Sequence, residues 1–359
     1  MASHQDSLAR RLALRFTHPQ VVALLVVTLT VFVIISWFGK ALAPYLTAAA
    51  FTFFLDDLVL VLNRMKIPRP VAVLLVFGLF LLSLIIIFIV LIPMMVQQLK
   101  SLLAEIPRLT VMLKEQLRLL AESASGVINR EIIENMLVRG MESAQDFMAD
   151  VATYLVFGVP GIITVLVYVV LVPFLVFFFL LDKRSLMETY ITRFIPRERH
   201  LIDSVLADAN RGIGGYMRGK IWETLILGIL SYFTFFFMDL RFAPLLGILT
   251  GLSVLIPFIG LAVVAVPVVI AGLVQFGPTF DGVLPLIAYA VVQLVDANIL
   301  QPIILGETVK VHPTTIILAA LFFGSLWGIL GVFVAIPLAV VVRSLVNAIL
   351  AVDTSATET

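Results

Sequence analysis

The chain has 359 residues, of which 61% are apolar and 13% charged, with a formal net charge of +1 and no cysteine. Such a composition lies outside the range of water-soluble domains and indicates a polytopic membrane protein of the all-α class. The near-neutral charge offers no concentrated basic surface for nucleic acid, and the lack of cysteine excludes disulfides, thiolate catalysis and cysteine-ligated metals.

Runs of about 20 apolar residues, the length that crosses a bilayer as helix, predict eight spans: Val21 to Phe38, Ala41 to Leu62, Pro70 to Ile92, Val151 to Leu181, Ile221 to Met238, Pro244 to Phe276, Val283 to Leu305 and Thr314 to Leu350. No cleavable leader precedes the first, which reads as a retained span. Between spans three and four, Met95, Leu99, Leu102, Leu103, Ile106, Leu109, Leu113, Leu117 and Leu120 recur at helical spacing, so residues 93–150 are expected to form an extramembrane amphipathic helical hairpin that turns at Ser123 to Gly126. The expected domains are a cytoplasmic tail with spans one to three (1–92), this hairpin (93–150), span four (151–181), a basic cytoplasmic segment (182–220), a transport core of spans five to eight (221–350) and a tail (351–359). Lys and Arg concentrate before the first span, at Arg64 to Arg69 and from Lys183 to Lys220. Short basic loops stay cytoplasmic, which places both termini inside and the hairpin outside.

The longest runs carry helix breakers: Pro160 and Pro173, then Pro257 and Pro267, then Gly324, Gly328, Gly331 and Pro337. They predict kinks or paired half-helices rather than straight rods. Pro257 and Gly260, followed by Pro267, open a helix at a depth where freed backbone groups survive only beside protein or a wet cavity; a kinked, packed helix is the alternative. The pairs Gly247/Gly251 and Gly324/Gly328 fit close helix packing.

Enzyme signatures are weak. Gly214 to Lys220 reads GGYMRGK, the spacing of a phosphate loop, yet Ile221 stands where a magnesium-binding hydroxyl belongs and no strand precedes it. The four histidines show no metal-ligand spacing. Neither an enzymatic activity nor a cofactor is expected.

Asp296 falls near the middle of span seven, where a carboxylate costs about 2.5 to 3.5 kcal/mol to insert. Gln293 and Asp296 share one helical face, with Asn298 and Gln301 on an adjoining one. Two readings stand: a self-satisfying polar network between helices, and an ion- or solute-coordinating site. Glu223, Asp239, Asp56 and Asp57 lie nearer to span ends and read first as interfacial, paired carboxylates; Glu307 follows Gly306 after Pro302 in a loop that either caps a helix end or is a simple turn.

Ile256 to Gly260 (IPFIG), Val291 to Leu318 (VVQLVDANILQPIILGETVKVHPTTIIL), Trp327 to Gly331 (WGILG) and Ala335 to Leu338 (AIPL) resemble the C-terminal signature of the autoinducer-2 exporter family of bacterial permeases. Further matches lie at Tyr216 to Lys220, Ile195-Pro196 and Ile67 to Arg69, so the likeness covers nearly the whole chain. It implies an inner-membrane permease of about eight spans, a homo-oligomer that exports a small polar solute or, in some members, exchanges sodium for protons. Carried over by position, Pro257, Gly260, Asp296, Asn298, Gln301, Pro302, Gly306, His312 and Pro313 match its characteristic motifs. Asp57, where the family commonly has proline, and Asp239, where it commonly has glycine, depart from it and favour cation handling. The expected function is secondary transport with Asp296 as coupling carboxylate; the alternatives are a sodium/proton antiporter on the same fold and a non-transporting membrane scaffold.

Overall fold

The computed structural model describes residues 19–123, 130–157, 168–182, 199–257, 259–306 and 313–351, and among them regular structure is helical, with no strand. In chain order the elements are α1 (Pro19–Arg64), α2 (Arg69–Ile86), a π turn (Ile87–Leu91), α3 (Ile92–Ser123), α4 (Arg130–Phe157), α5 (Tyr168–Asp182), α6 (Arg199–Phe237), α7 (Ala243–Ser253), α8 (Ile259–Phe276), α9 (Phe280–Val295), a second π turn (Asp296–Leu300), α10 (Gln301–Leu305), α11 (Pro313–Trp327) and α12 (Ile329–Ala351). Among the described residues five helices are long and apolar enough to cross a bilayer, within the ranges 41–64, 69–116, 210–237, 259–276 and 280–305. The chain divides into two compact units: residues 1–77, 170–218 and 307–359, and residues 78–169 and 219–306.

In the first unit the connection expected at Lys40 is instead helical, because α1 runs unbroken for 46 residues, about 69 Å at 1.5 Å per residue. It ends at Arg64, and Lys66, at φ +65°, lets Ile67 N–H reach back to the Leu62 carbonyl before Pro68 forbids another helical turn. The run expected as one span from Thr314 to Leu350 is two helices, α11 and α12, which pack on each other and against α1. Gly328 divides them at φ +64°, a conformation that costs glycine no Cβ clash.

In the second unit the leucine stripe of α3 folds as its spacing predicts. Met95, Leu99, Leu102, Ile106 and Leu109 are buried together with Met148 of α4 and with Leu245, Leu246, Val264 and Val268 of α7 and α8. The hairpin therefore packs on itself and on α7 and α8; of its expected turn, Ser123 to Gly126, Ser123 ends α3 and the rest lies outside the described residues. Gln98 fixes the register. Its Oε1 accepts the Leu245 N–H at 3.1 Å, near the start of α7, where Phe242 supplies no side-chain cap and a helix leaves its first amides unpaired.

The interruption expected in the sixth span is a complete break: α7 and α8 are separate helices that contact one another. Gly260 is required there, because a Cβ would run into the backbone of Ser253. Gly247 and Gly251 seat α7 against α6, where a Cβ on Gly251 would stand 2.6 Å from the Thr224 carbonyl and one on Gly247 2.7 Å from Tyr232 Cβ. Without a hydrophobic drive between helices in lipid, such backbone proximity supplies the packing, and it holds the part of α6 next to Glu223 in place.

Candidate functional site

α6 is helical from Arg199, and its apolar candidate span begins at Asn210 rather than at Ile221. Lys220, assigned by its basic neighbours to a cytoplasmic segment, therefore lies within the helix. Lys220, Glu223, Leu227 and Phe235 recur every three, four or eight residues and are buried, while Trp222, Leu225, Ile226, Ile229 and Phe233 on the remaining circumference are exposed. One stripe thus carries a lysine and a glutamate into the protein.

Lys220 is 6% exposed and Glu223 0%. The ammonium donates to Glu223 Oε1 at 3.1 Å and stands 2.9 Å from Oε2, an ion-pair distance without hydrogen-bond geometry, so Oε2 has no donor among the described residues. Gly219, beside Lys220, serves packing between elements, since a Cβ there would stand 2.5 Å from Leu305 Cδ2. The glycine lets α6 lie directly against α10.

Asp296, 3% exposed, comes from the other side, at the first residue of the second π turn. In a regular α-helix residues five apart do not share a face. The wider turn changes that: Gln301 N–H bonds back to the Asp296 carbonyl, and Gln301 Nε2 donates to Asp296 Oδ2 at 3.0 Å. Asp296 Oδ1 is buried and has no donor among the described residues. Lys220 acts electrostatically on Asp296, and Asp296 and Gln301 both lie within interaction reach of Glu223.

Two buried carboxylates, one buried ammonium and one half-buried amide form the constellation. Ionised throughout, it carries one negative charge more than it neutralises, and the carboxylate oxygen left with neither a donor nor an ion-pair contact among the described residues is Asp296 Oδ1. Oxygen donors suit protons and hard cations. Thr224 Oγ1, next to Glu223 in the chain, is likewise buried without a partner.

The remaining sequence candidates fall elsewhere. Gln293 is half-buried, one helical turn from Tyr289, with which it interacts. Asn298 is exposed and spends its amide on the Leu294 carbonyl of its own helix, at 2.8 Å. Pro257 sits in the break between α7 and α8, Pro267 is buried inside α8, and Pro302 opens α10, which Gly306 closes at φ +47°. Asp239 stands at φ +54° in the turn after α6, with its carbonyl accepting Gln275 Nε2 at 2.7 Å; its place is a turn for which glycine is the usual residue. Asp56 and Asp57 belong to the first unit, opposite Arg69 at 3.9 Å and Arg218 at 2.9 Å. Glu307 lies outside the described residues. Lys220 was absent from the sequence candidates, although its signal was present: lysine and glutamate at i, i+3, immediately ahead of an apolar run.

A family model described as AI-2E family transporter matches residues 22–351. PerM of Escherichia coli (strain K12) is 35% identical over 335 residues, 93% of this chain and 94% of that protein. YueF of Bacillus subtilis (strain 168) is 26% identical over 305 residues, 84% of this chain and 82% of that one. The AI-2 transport protein TqsA of Escherichia coli (strain K12) is 30% identical over 131 residues, 36% of this chain and 38% of that protein.

Proposed function

The chain belongs to the AI-2E transporter family, and from that premise we propose that it is a secondary permease whose coupling site is the carboxylate pair Glu223 and Asp296. A proton and a sodium ion alternate there. The observation that carries this reading is the charge count of the buried cluster, two carboxylates against one ammonium, with Glu223 Oε2 met by the Lys220 charge alone and Asp296 Oδ1 without a donor among the described residues. A polar network that only glues helices together satisfies its own members; this one leaves a negative charge over, which a small cation neutralises.

The broken helix at α7 and α8 supports the same reading, since secondary transporters move discontinuous helices about a fixed site. The basic segments before α1 and after α5 favour cytoplasmic termini in a bacterial inner membrane. A second reading, export of a small polar solute, draws on the name of TqsA and on the amides of Gln293 and Gln301. Cation exchange is preferred because Asn298, the third amide of that reading, faces away from the carboxylates and bonds its own helix.

The test is flux in proteoliposomes that hold the purified full chain, following internal pH after a sodium jump and, in parallel, release of a preloaded labelled autoinducer-like solute. Sodium-driven proton movement that Asp296→Asn abolishes is the expected result. Solute release without proton movement supports the exporter instead, and silence in both assays returns the weight to a membrane scaffold.

A further inference from the structure

The string GGYMRGK lies wholly within α6, so its residues cannot wrap a phosphate as a strand-to-helix loop does. Gly219 and Lys220 instead serve close packing and charge. Gly219 lets α6 lie against Leu305 and Ile304, and Lys220 places its ammonium on Glu223 while acting on Asp296. A desolvated ammonium persists only beside a counter-charge, and Glu223 alone supplies one. Asp296 is therefore surplus to the ion pair, and the pair is surplus to Asp296, unless the two share the ammonium.

We propose that Lys220 is a cation tethered inside the transport site, which neutralises one of the two carboxylates at a time and thereby limits the site to a single monovalent cation. The inference rests on the reading of Glu223 and Asp296 as a cation site. Three oxygens are available to the ammonium or to a competing ion: Glu223 Oε1, now bonded to Lys220, Glu223 Oε2, now at 2.9 Å from it, and Asp296 Oδ1, which has no donor. A cation that arrives at Asp296 leaves the ammonium on Glu223, and a cation drawn to Glu223 sends the ammonium to Asp296. Either way the total is neutral. A divalent ion brings one charge too many and is refused, although carboxylate oxygens otherwise suit it.

The experiment measures thermal stabilisation of the full chain in detergent by sodium and, separately, by calcium at equal concentration. The native protein responds to sodium and not to calcium. In Lys220→Met two carboxylates stand without an internal counter-charge, and calcium acts at a concentration about tenfold or more below that of sodium. Adding Glu223→Gln to Lys220→Met restores a single charge and the preference for sodium, and Lys220→Arg keeps the native preference.

An unchanged preference in Lys220→Met, or a preference for calcium in the double variant, overturns the proposal. Should Lys220→Met fail to fold, Glu223→Gln decides: Lys220 then faces Asp296 alone, the sum is zero, and the sodium response disappears. A sodium response retained in Glu223→Gln overturns the tether. No sodium response in the native protein counts against both the tether and the cation site, whereas a native response that Asp296→Asn removes, with valence preference unmoved in Lys220→Met, sinks the tether alone.

Discussion

Both units of the chain carry carboxylates in apolar helices, and they treat them differently. In the first, Asp56 and Asp57 each have an arginine, Arg69 and Arg218, and Arg69 also donates to the Leu180 carbonyl at 3.2 Å. Charges match in number. Asp56 is buried, whereas the second pair keeps solvent contact, 38% for Asp57 and 41% for Arg218. In the second unit Glu223 and Asp296 share one lysine, and all three are nearly sealed. The difference teaches that an acidic residue in a span is not by itself a transport site. Charge balance, more than exposure, separates a pair that holds helices together from a cluster that awaits a counter-ion, since Asp56 is itself buried.

That contrast breaks first at Asp296. Asp296→Asn is expected to reduce sodium-driven proton flux in proteoliposomes to the level of empty vesicles while the protein remains folded, since the amide keeps the shape and the Gln301 contact. Survival of the flux would erase the distinction between the units. The next largest effect is structural: Gly251→Val forces a side chain against the Thr224 carbonyl, and overpacking of this kind costs about 1 to 3 kcal/mol. A lowered unfolding temperature in detergent, with flux per folded molecule also reduced, is the expected sign that α7 positions α6.

Asp57→Asn sharpens the comparison from the other side. Its pair with Arg218 is half-exposed, and such pairs contribute about 0.2 to 1 kcal/mol, so a small stability loss with coupled flux intact is expected. The smallest effect belongs to Asp239→Gly, which relieves a left-handed backbone at φ +54° and leaves flux unchanged; the expected gain is at most about 1 kcal/mol in thermal unfolding. Loss of coupling in either variant would place a working carboxylate outside the buried cluster.

Much of the fold is legible in the sequence because hydropathy and breakers act locally. The α3 stripe from Met95 to Leu109, the break at Pro257 and Gly260, and the division of the last run at Gly328 all follow from spacing or from a residue whose backbone freedom decides the matter. The join at Lys40 misleads, since one charged residue in an apolar run reads as a loop while α1 continues through it. The site was half legible. Asp296 declares itself by depth, but Gln301 reaches it only through a π turn that no helical wheel anticipates. Lys220 was hidden for a different reason: eight basic residues between Lys183 and Lys220 read as a cytoplasmic cluster, and only the continuity of α6 carries the last of them into the protein.

The measurement that tests the central claim most directly is proton release upon sodium binding, made on purified full chain in weakly buffered detergent, native against Asp296→Asn. A site one positive charge short of neutrality, held by a proton at rest, predicts release of about one proton per chain on adding sodium, and no release from Asp296→Asn. Sodium binding without proton release, or equal release from both proteins, would contradict it.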